Sequence, residues 1–292
     1  MSHFTVLVIG DNVEKQLQPF HEFECTGTND EFVQDIDVTE ECREHGLDWH
    51  GLEDLVVASE SEVDRNGAHQ FGYAVMEGGQ LIKAVNRTNP NKKWDWWQVG
   101  GRWSGYFKLK PGAIGSCGES GFLGSCRNTG ADRADQVRKG DIDVEGMRAE
   151  AAATDGRKWD EIRAITGDLD DLITWTETRE RFPGDIEAAR AAYHSQRAKQ
   201  AIANADDKDH RFAFLQLDDF KVSRDVFTRR AADSAISTFA VLKDGRWYER
   251  GDMGWFGFVA DEKDPDAWNR EFAALIDGLP NDTLLTVVDC HI

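Results

Sequence analysis

Residues 283 to 292, TLLTVVDCHI, form an apolar, β-branched run and read as a strand. A run of the same kind, FTVLVIG from Phe4 to Gly10, lies at the other end of the chain and is closed by glycine. Helical patterns fall between the two. Strand runs at both termini with helices between them point to an α+β fold, a mainly antiparallel sheet with flanking helices and a helical insertion. Asp, Cys and His in a row at 289–291 invite a catalytic triad, but strand alternation separates them. Asp289 and His291 share one face, while Cys290 joins Val288 on the other and reads as a small core residue. If the terminal strands pair antiparallel, His3 comes to lie beside His291. Two histidines with Asp289 are then a workable set of metal ligands. The alternative is that all three are solvated polar groups at strand ends.

Working inward, FGYAVMEGGQLIKAV (71–85) reads as a hairpin turning through Gly78-Gly79, and STFAVLKDGRWYERG (237–251) as one turning at Asp244-Gly245. WDWWQVGG (94–101) and RWSGYFKLK (102–110) read as further strands, and FAFLQL (212–217) as another. In TEECREHGLDWHGLEDLV (39–56), Thr39 is a candidate helix cap and Gly46 an early stop. WDEIRAI (159–165) and IEAARAAYHSQRAKQAIANA (186–205) have helical character, with Pro183-Gly184 between them and Asp185 as the second cap. In DPDAWNREFAALIDGLP (264–280), Asp264 caps a helix whose apolar face is Trp268, Phe272, Leu275, Ile276 and Leu279. The expected organisation is an α+β body of residues 1–131 and 206–292, with 132–205 as the helical insertion. PGAIGSCGESGFLGSCRNTG (111–130) reads as a long loop, either mobile or closing over a site.

The chain of 292 residues carries a net charge of −20, yet 40% hydrophobic content and ten tryptophans exclude a disordered protein. Five cysteines, an odd number without CxxC spacing, point to reduced thiols rather than a disulfide framework. No apolar run reaches the roughly 18–20 residues that span a bilayer, and MSHFTVLVIGDN has no basic start or cleavage site. A cytoplasmic location without membrane attachment is the expectation. Charge is unevenly spread: residues 1–60 hold fifteen acids against two bases, whereas 83–110 hold seven bases against one acid. The basic segment either packs beside the acidic one and is compensated, or draws an anionic ligand locally. Duplex nucleic acid is disfavoured as a partner by the field of the whole molecule.

That basic segment contains WDWWQVGGRW (94–103), four tryptophans in ten residues. On a strand, Trp94 and Trp96 would share one face and Trp97 the other. A core reading suits Trp96 or Trp97. The functional reading assigns an aromatic stack, close backbone approach at Gly100-Gly101, and a planar anion-binding fork at Arg102. GDMGWFG (251–257) is a second glycine-flanked aromatic site. The candidate ligand-binding residues are therefore Trp94, Trp97, Arg102, Trp103 and Trp255, and the candidate metal ligands are His3, Asp289 and His291. His21, Glu22, Glu24, Cys25, Cys42, His45 and His50 match no established zinc spacing. No phosphate-loop or dinucleotide fingerprint is present.

The set MSHFTVLVIG, PFHEFECTG, WDWWQVGGRWSG, ADQVRKGDID and VVDCHI resembles a family of tailed-phage and prophage proteins that has no assigned activity. The resemblance spans most of the chain. It implies an accessory role during infection, in the host cytoplasm, such as countering host defence, and it transfers no catalytic residue. Two function classes follow. The first is an accessory protein that binds a small anionic or nucleotide-like ligand, or a host protein, through the Trp/Arg/Gly-rich site. The alternative is a metal-dependent hydrolase or nucleotide-processing enzyme that uses the terminal-strand residues, with a divalent metal as cofactor. A nucleic-acid mimic is a third reading, and the basic segment argues against it.

Overall fold

A computed structural model describes residues 2–22, 30–118, 130–205, 211–212, 215–254 and 258–292. Its strands are β1 (His3–Ile9), β2 (Gln34–Asp37), β3 (Val56–Val57), β4 (Gly72–Glu77), β5 (Gln80–Thr88), β6 (Trp96–Val99), β7 (Phe107–Lys108), β8 (Arg133–Ala134), β9 (Gln136–Arg138), β10 (Ala240–Lys243), β11 (Arg246–Glu249), β12 (Asp252–Met253), β13 (Val259–Ala260) and β14 (Leu284–His291). The helices are α1 (Val13–Leu17), α2 (Thr39–His45), α3 (Val144–Thr166), α4 (Trp175–Arg181), α5 (Ile186–His194), α6 (Arg197–Ala205), α7 (Arg224–Ser234) and α8 (Pro265–Asp277). The fold is α+β with mainly antiparallel sheets. It divides into two compact units, one of residues 1–142, 238–263 and 279–292, the other of 143–237 and 264–278.

In the first unit the terminal strands pair antiparallel, from His3 opposite His291 to Ile9 opposite Leu285. The sheet runs β11-β10-β1-β14-β6, with β10 parallel to β1. The far edge of β14 is shared: β9 covers Leu284–Thr286 and β6 covers Val288–His291. On one face Phe4, Val6, Val8, Leu242, Val288 and Cys290 form a core that Trp94 and Leu17 complete. Burial raises the Cys290 thiol well above its ordinary range, so it is a packing group and not a nucleophile. The hairpin β4–β5 turns at Gly78 and Gly79, both at positive φ, and belongs to a separate sheet ordered β2-β5-β4-β3. Val38, Cys42, Leu52, Ala74 and Ala84 pack together in this region, and Val57, Tyr73, Val75 and Val85 form a second cluster.

The second unit is helical among its described residues. Ile162, Leu169, Leu172, Ala198, Ile202, Leu217 and Phe220 form its core. Side chains of the expected kind cap α3, α4, α5, α7 and α8. Asp143, Asp185, Ser223 and Asp264 each accept from the backbone N–H three residues on, and Thr174 with Glu177 forms a reciprocal capping box. The unit starts and ends later than the 132–205 insertion read from sequence, and it also holds α8. Residues 133–134 and 136–138 are short strands on either side of a buried Asp135, a pattern that hydrophobic periodicity does not reveal.

Three local expectations are corrected. Leu215–Leu217 is not a strand: Leu217 opens a 3₁₀ turn and is buried in the helical core. In 102–110 only Phe107–Lys108 is a strand, because Arg102 and Trp103 lie in a turn. Thr39 is the first helical residue of α2 and not its cap. Asp37 supplies the acceptor, taking the Thr39 N–H (2.9 Å) and hydroxyl (2.5 Å). Of the long loop expected at 111–130, residues 119–129 lie outside the described residues.

Candidate functional site

The register of three strands aligns His3, His291 and Trp96 in one row across the end of the sheet. Residues directly opposite in an antiparallel pair point to the same face, so all three side chains share a side. The next row on that face is Thr5, Asp289 and Gln98. Asp289 is 1% exposed, yet its two oxygens are both engaged. Oδ1 accepts from His3 Nδ1 at 2.8 Å and Oδ2 accepts from the Arg102 backbone N–H at 2.9 Å. The neighbouring imidazole is held in the same manner, with His291 Nδ1 donating to Asp95 at 2.6 Å. The two rings meet edge-to-face, 4.9 Å between centroids.

A carboxylate can only accept, so each histidine donates from Nδ1, and in the neutral imidazole Nε2 carries the lone pair. Neither Nε2 has a hydrogen-bond partner among the described residues. Both side chains are partly open to solvent, His3 at 16% and His291 at 14%. The Trp96 ring stands beside His3, 6.3 Å between centroids, and is 45% exposed. This corner of the sheet therefore offers two oriented nitrogen bases and a bare aromatic face.

The loop after β6 is built around a second buried carboxylate. Asp135 is fully buried and accepts four hydrogen bonds: from the Ser104 hydroxyl (3.0 Å) and from the backbone N–H groups of Gly105 (2.6 Å), Tyr106 (3.2 Å) and Gly118 (2.9 Å). Gly100 and Gly101 are both at positive φ. A Cβ on Gly100 would collide with the Asp135 carboxylate, and one on Gly101 would lie 2.5 Å from Asp289. The glycine pair thus makes room for two acidic side chains of the protein itself. Arg102 is left exposed at the loop's tip, and its guanidinium has no ion pair among the described residues.

The tryptophans separate by burial. Trp94 is 6% exposed, donates Nε1–H to the Leu17 carbonyl at 3.2 Å and stacks on His21 at 4.4 Å, so the core takes it and it is not a ligand contact. It precedes β6, and strand alternation therefore does not place it with Trp96. Trp97 packs against the same core, edge-on to Trp94. Trp103 is half-buried in the turn. Trp255, Glu24 and Cys25 lie outside the described residues. Trp96, which the sequence favoured no more than Trp97 and left out of the ligand set, is the exposed member. Its signal is the pairing of β6 with β14, which sequence periodicity does not supply.

His3 and His291 meet as expected, but Asp289 acts as an orienting group for His3. Among the described residues no three His, Cys, Asp or Glu side chains are arranged to hold a metal ion. Most of the basic segment is compensated. Lys83 pairs with Glu60, Arg87 with Asp30 and Asp35, Lys92 with Glu22, and Lys93 with Glu249 and Asp252. Among the described residues two of the cavities open elsewhere, and neither of these includes Arg102. One, of about 510 Å³, is lined by Lys158, Asp219, Phe227, Arg230 and Asp266 in the helical unit. The other, of about 500 Å³, is lined by Asp37, Arg43, Glu60 and Lys83 in the sheet unit. No helix among the described residues is long and apolar enough to cross a membrane. No family model, curated protein or solved structure matches the chain.

Proposed function

We propose that this protein binds a small aromatic anion of the nucleotide class on the corner formed by His3, His291 and Trp96, with Arg102 as the anion anchor. The observation that carries the reading is Trp96, an exposed indole set beside two imidazoles whose Nε2 atoms are open. An exposed indole is a stacking platform for a base, and base–aromatic stacking contributes roughly 1–3 kcal/mol. Arg102 adds a planar, permanently charged fork suited to phosphate. Its backbone is tied to Asp289, which also orients His3, so the anchor and the His3 imidazole rest on one buried carboxylate. An accessory role in a phage-infected cell is compatible with such a site.

Calorimetric titration with a panel of nucleoside mono- and triphosphates tests the reading. Saturable binding is expected, with Trp96→Ala weakening it by about fivefold or more, the lower end of the stacking range. Arg102→Ala is expected to weaken triphosphates and monophosphates while leaving a neutral nucleoside unaffected. Absence of binding across the panel, or binding that neither substitution alters, contradicts the reading.

A further inference from the structure

We infer that the paired imidazoles of His3 and His291 form a two-nitrogen site for a divalent transition metal, bound through Nε2 of each ring. The inference goes beyond the nucleotide reading and stands on the imidazole geometry alone. The first support is the state of the other ring nitrogens. Metal-binding histidines characteristically donate their second N–H to a carboxylate, which fixes the tautomer and makes the ligating nitrogen more basic. His3 and His291 both do so, to Asp289 at 2.8 Å and to Asp95 at 2.6 Å. Elsewhere His45 and His50 also lie near carboxylates, but neither faces a second imidazole in this way.

The second support is the spacing. With metal–nitrogen bonds of about 2.1 Å, two imidazoles that share one ion at a near-tetrahedral angle have ring centroids roughly 5 Å apart. The observed separation is 4.9 Å. Directly opposed strand positions hold it, since His3 and His291 are register partners. The third support is access: both rings are partly exposed and both Nε2 atoms lack a protein partner among the described residues.

Imidazole selects zinc and its neighbours over calcium or magnesium, which prefer oxygen. Asp289 and Asp95 hold the rings and are not themselves ligands. Because no third His, Cys, Asp or Glu among the described residues completes the set, the remaining positions are open to water or to a ligand's phosphate oxygen. That arrangement places an ion where it can bridge the protein to an anion beside Trp96.

The test is titration of the whole, metal-stripped protein with Zn²⁺ and Co²⁺ in the absence of any nucleotide. One ion per chain is expected. His3→Gln and His291→Gln should each abolish that site, and Asp289→Asn should weaken it roughly 10–100-fold by loosening His3. His45→Gln and His50→Gln should bind as the parent does. The Co²⁺ form of the parent gives a readout independent of any variant's folding. Its visible spectrum should report nitrogen and oxygen ligation, without the thiolate charge-transfer absorption that Cys117, the exposed cysteine among the described residues, would add. No stoichiometric binding, a thiolate spectrum, or unchanged affinity in folded His3→Gln and His291→Gln overturns the inference. Metal binding that fails while nucleotide binding persists overturns the metal site alone, and the reverse result overturns only the nucleotide reading.

Discussion

Asp135 is a buried carboxylate without a cationic partner among the hydrogen bonds that satisfy it, and its stability rests on four donors. Removing the acceptor leaves a hydroxyl and three backbone N–H groups unpaired in a buried place, each costing about 1–3 kcal/mol. Asp135→Ala is therefore expected to lower unfolding stability by at least about 3 kcal/mol in urea titration; a loss below about 1 kcal/mol would contradict this role. Gly101→Ala is expected to cost roughly 1–3 kcal/mol, because the new Cβ meets Asp289 and forces a positive φ on a side chain. Arg102→Ala gives the contrasting result. Its exposed guanidinium has no ion pair to lose among the described residues, so stability should stay within about 0.5 kcal/mol. A large drop in melting temperature for Arg102→Ala would show a structural role and remove it from the site.

At the scale of elements, the entry to α2 is a relay in which the Ala84 N–H donates to the Thr39 hydroxyl and that hydroxyl donates to Asp37. The Thr39 hydroxyl and N–H hold the Asp37 carboxyl below its usual range. A carboxyl lowered on folding binds fewer protons folded than unfolded, so its contribution is fully present above the ordinary value of about 3.9 and is lost as pH falls through the lower folded value. Asn imitates the protonated acid. Asp37→Asn should therefore melt below the parent at neutral pH, and the gap should close on acidification; a gap that widens in acid would contradict the relay. Capping gives a simpler case: Asp264→Ala should cost about 1 kcal/mol at α8. Elements that their own residues specify are legible in the sequence. The hairpin turn at Asp244-Gly245, both at positive φ, and the apolar face Trp268, Phe272 and Ile276 are examples. β8 and β9 are not, because strands of two or three residues are set by the strands they pair with, β7 and β14. Leu215–Leu217 misleads because a short apolar run does not by itself distinguish strand from buried helical turn. The same limit applies to the site. His3 opposite His291 follows from two strong terminal strands, whereas Trp96 beside them needs the long-range pairing of β6.

Over the whole molecule, the contrast between an acidic start and a basic middle is largely resolved by pairing. Glu22, Asp30, Asp35 and Glu60 of the first sixty residues take up Lys92, Arg87 and Lys83. What remains is a net charge of −20 around a small corner with one exposed arginine. Such a field would repel duplex nucleic acid, so fluorescence anisotropy is expected to show no saturable duplex binding at physiological salt. Saturable binding there would mean that the exposed cations act together as a surface. The corner itself can be observed directly by two-dimensional NMR of the ¹⁵N-labelled protein during addition of the tightest-binding nucleotide of the panel. Selective shifts of the Trp96 indole N–H and of the His3 and His291 ring signals are the expected result. Shifts confined to residues such as Lys158, Phe227 and Arg230 around the helical unit's cavity, with the corner signals unmoved, would contradict it.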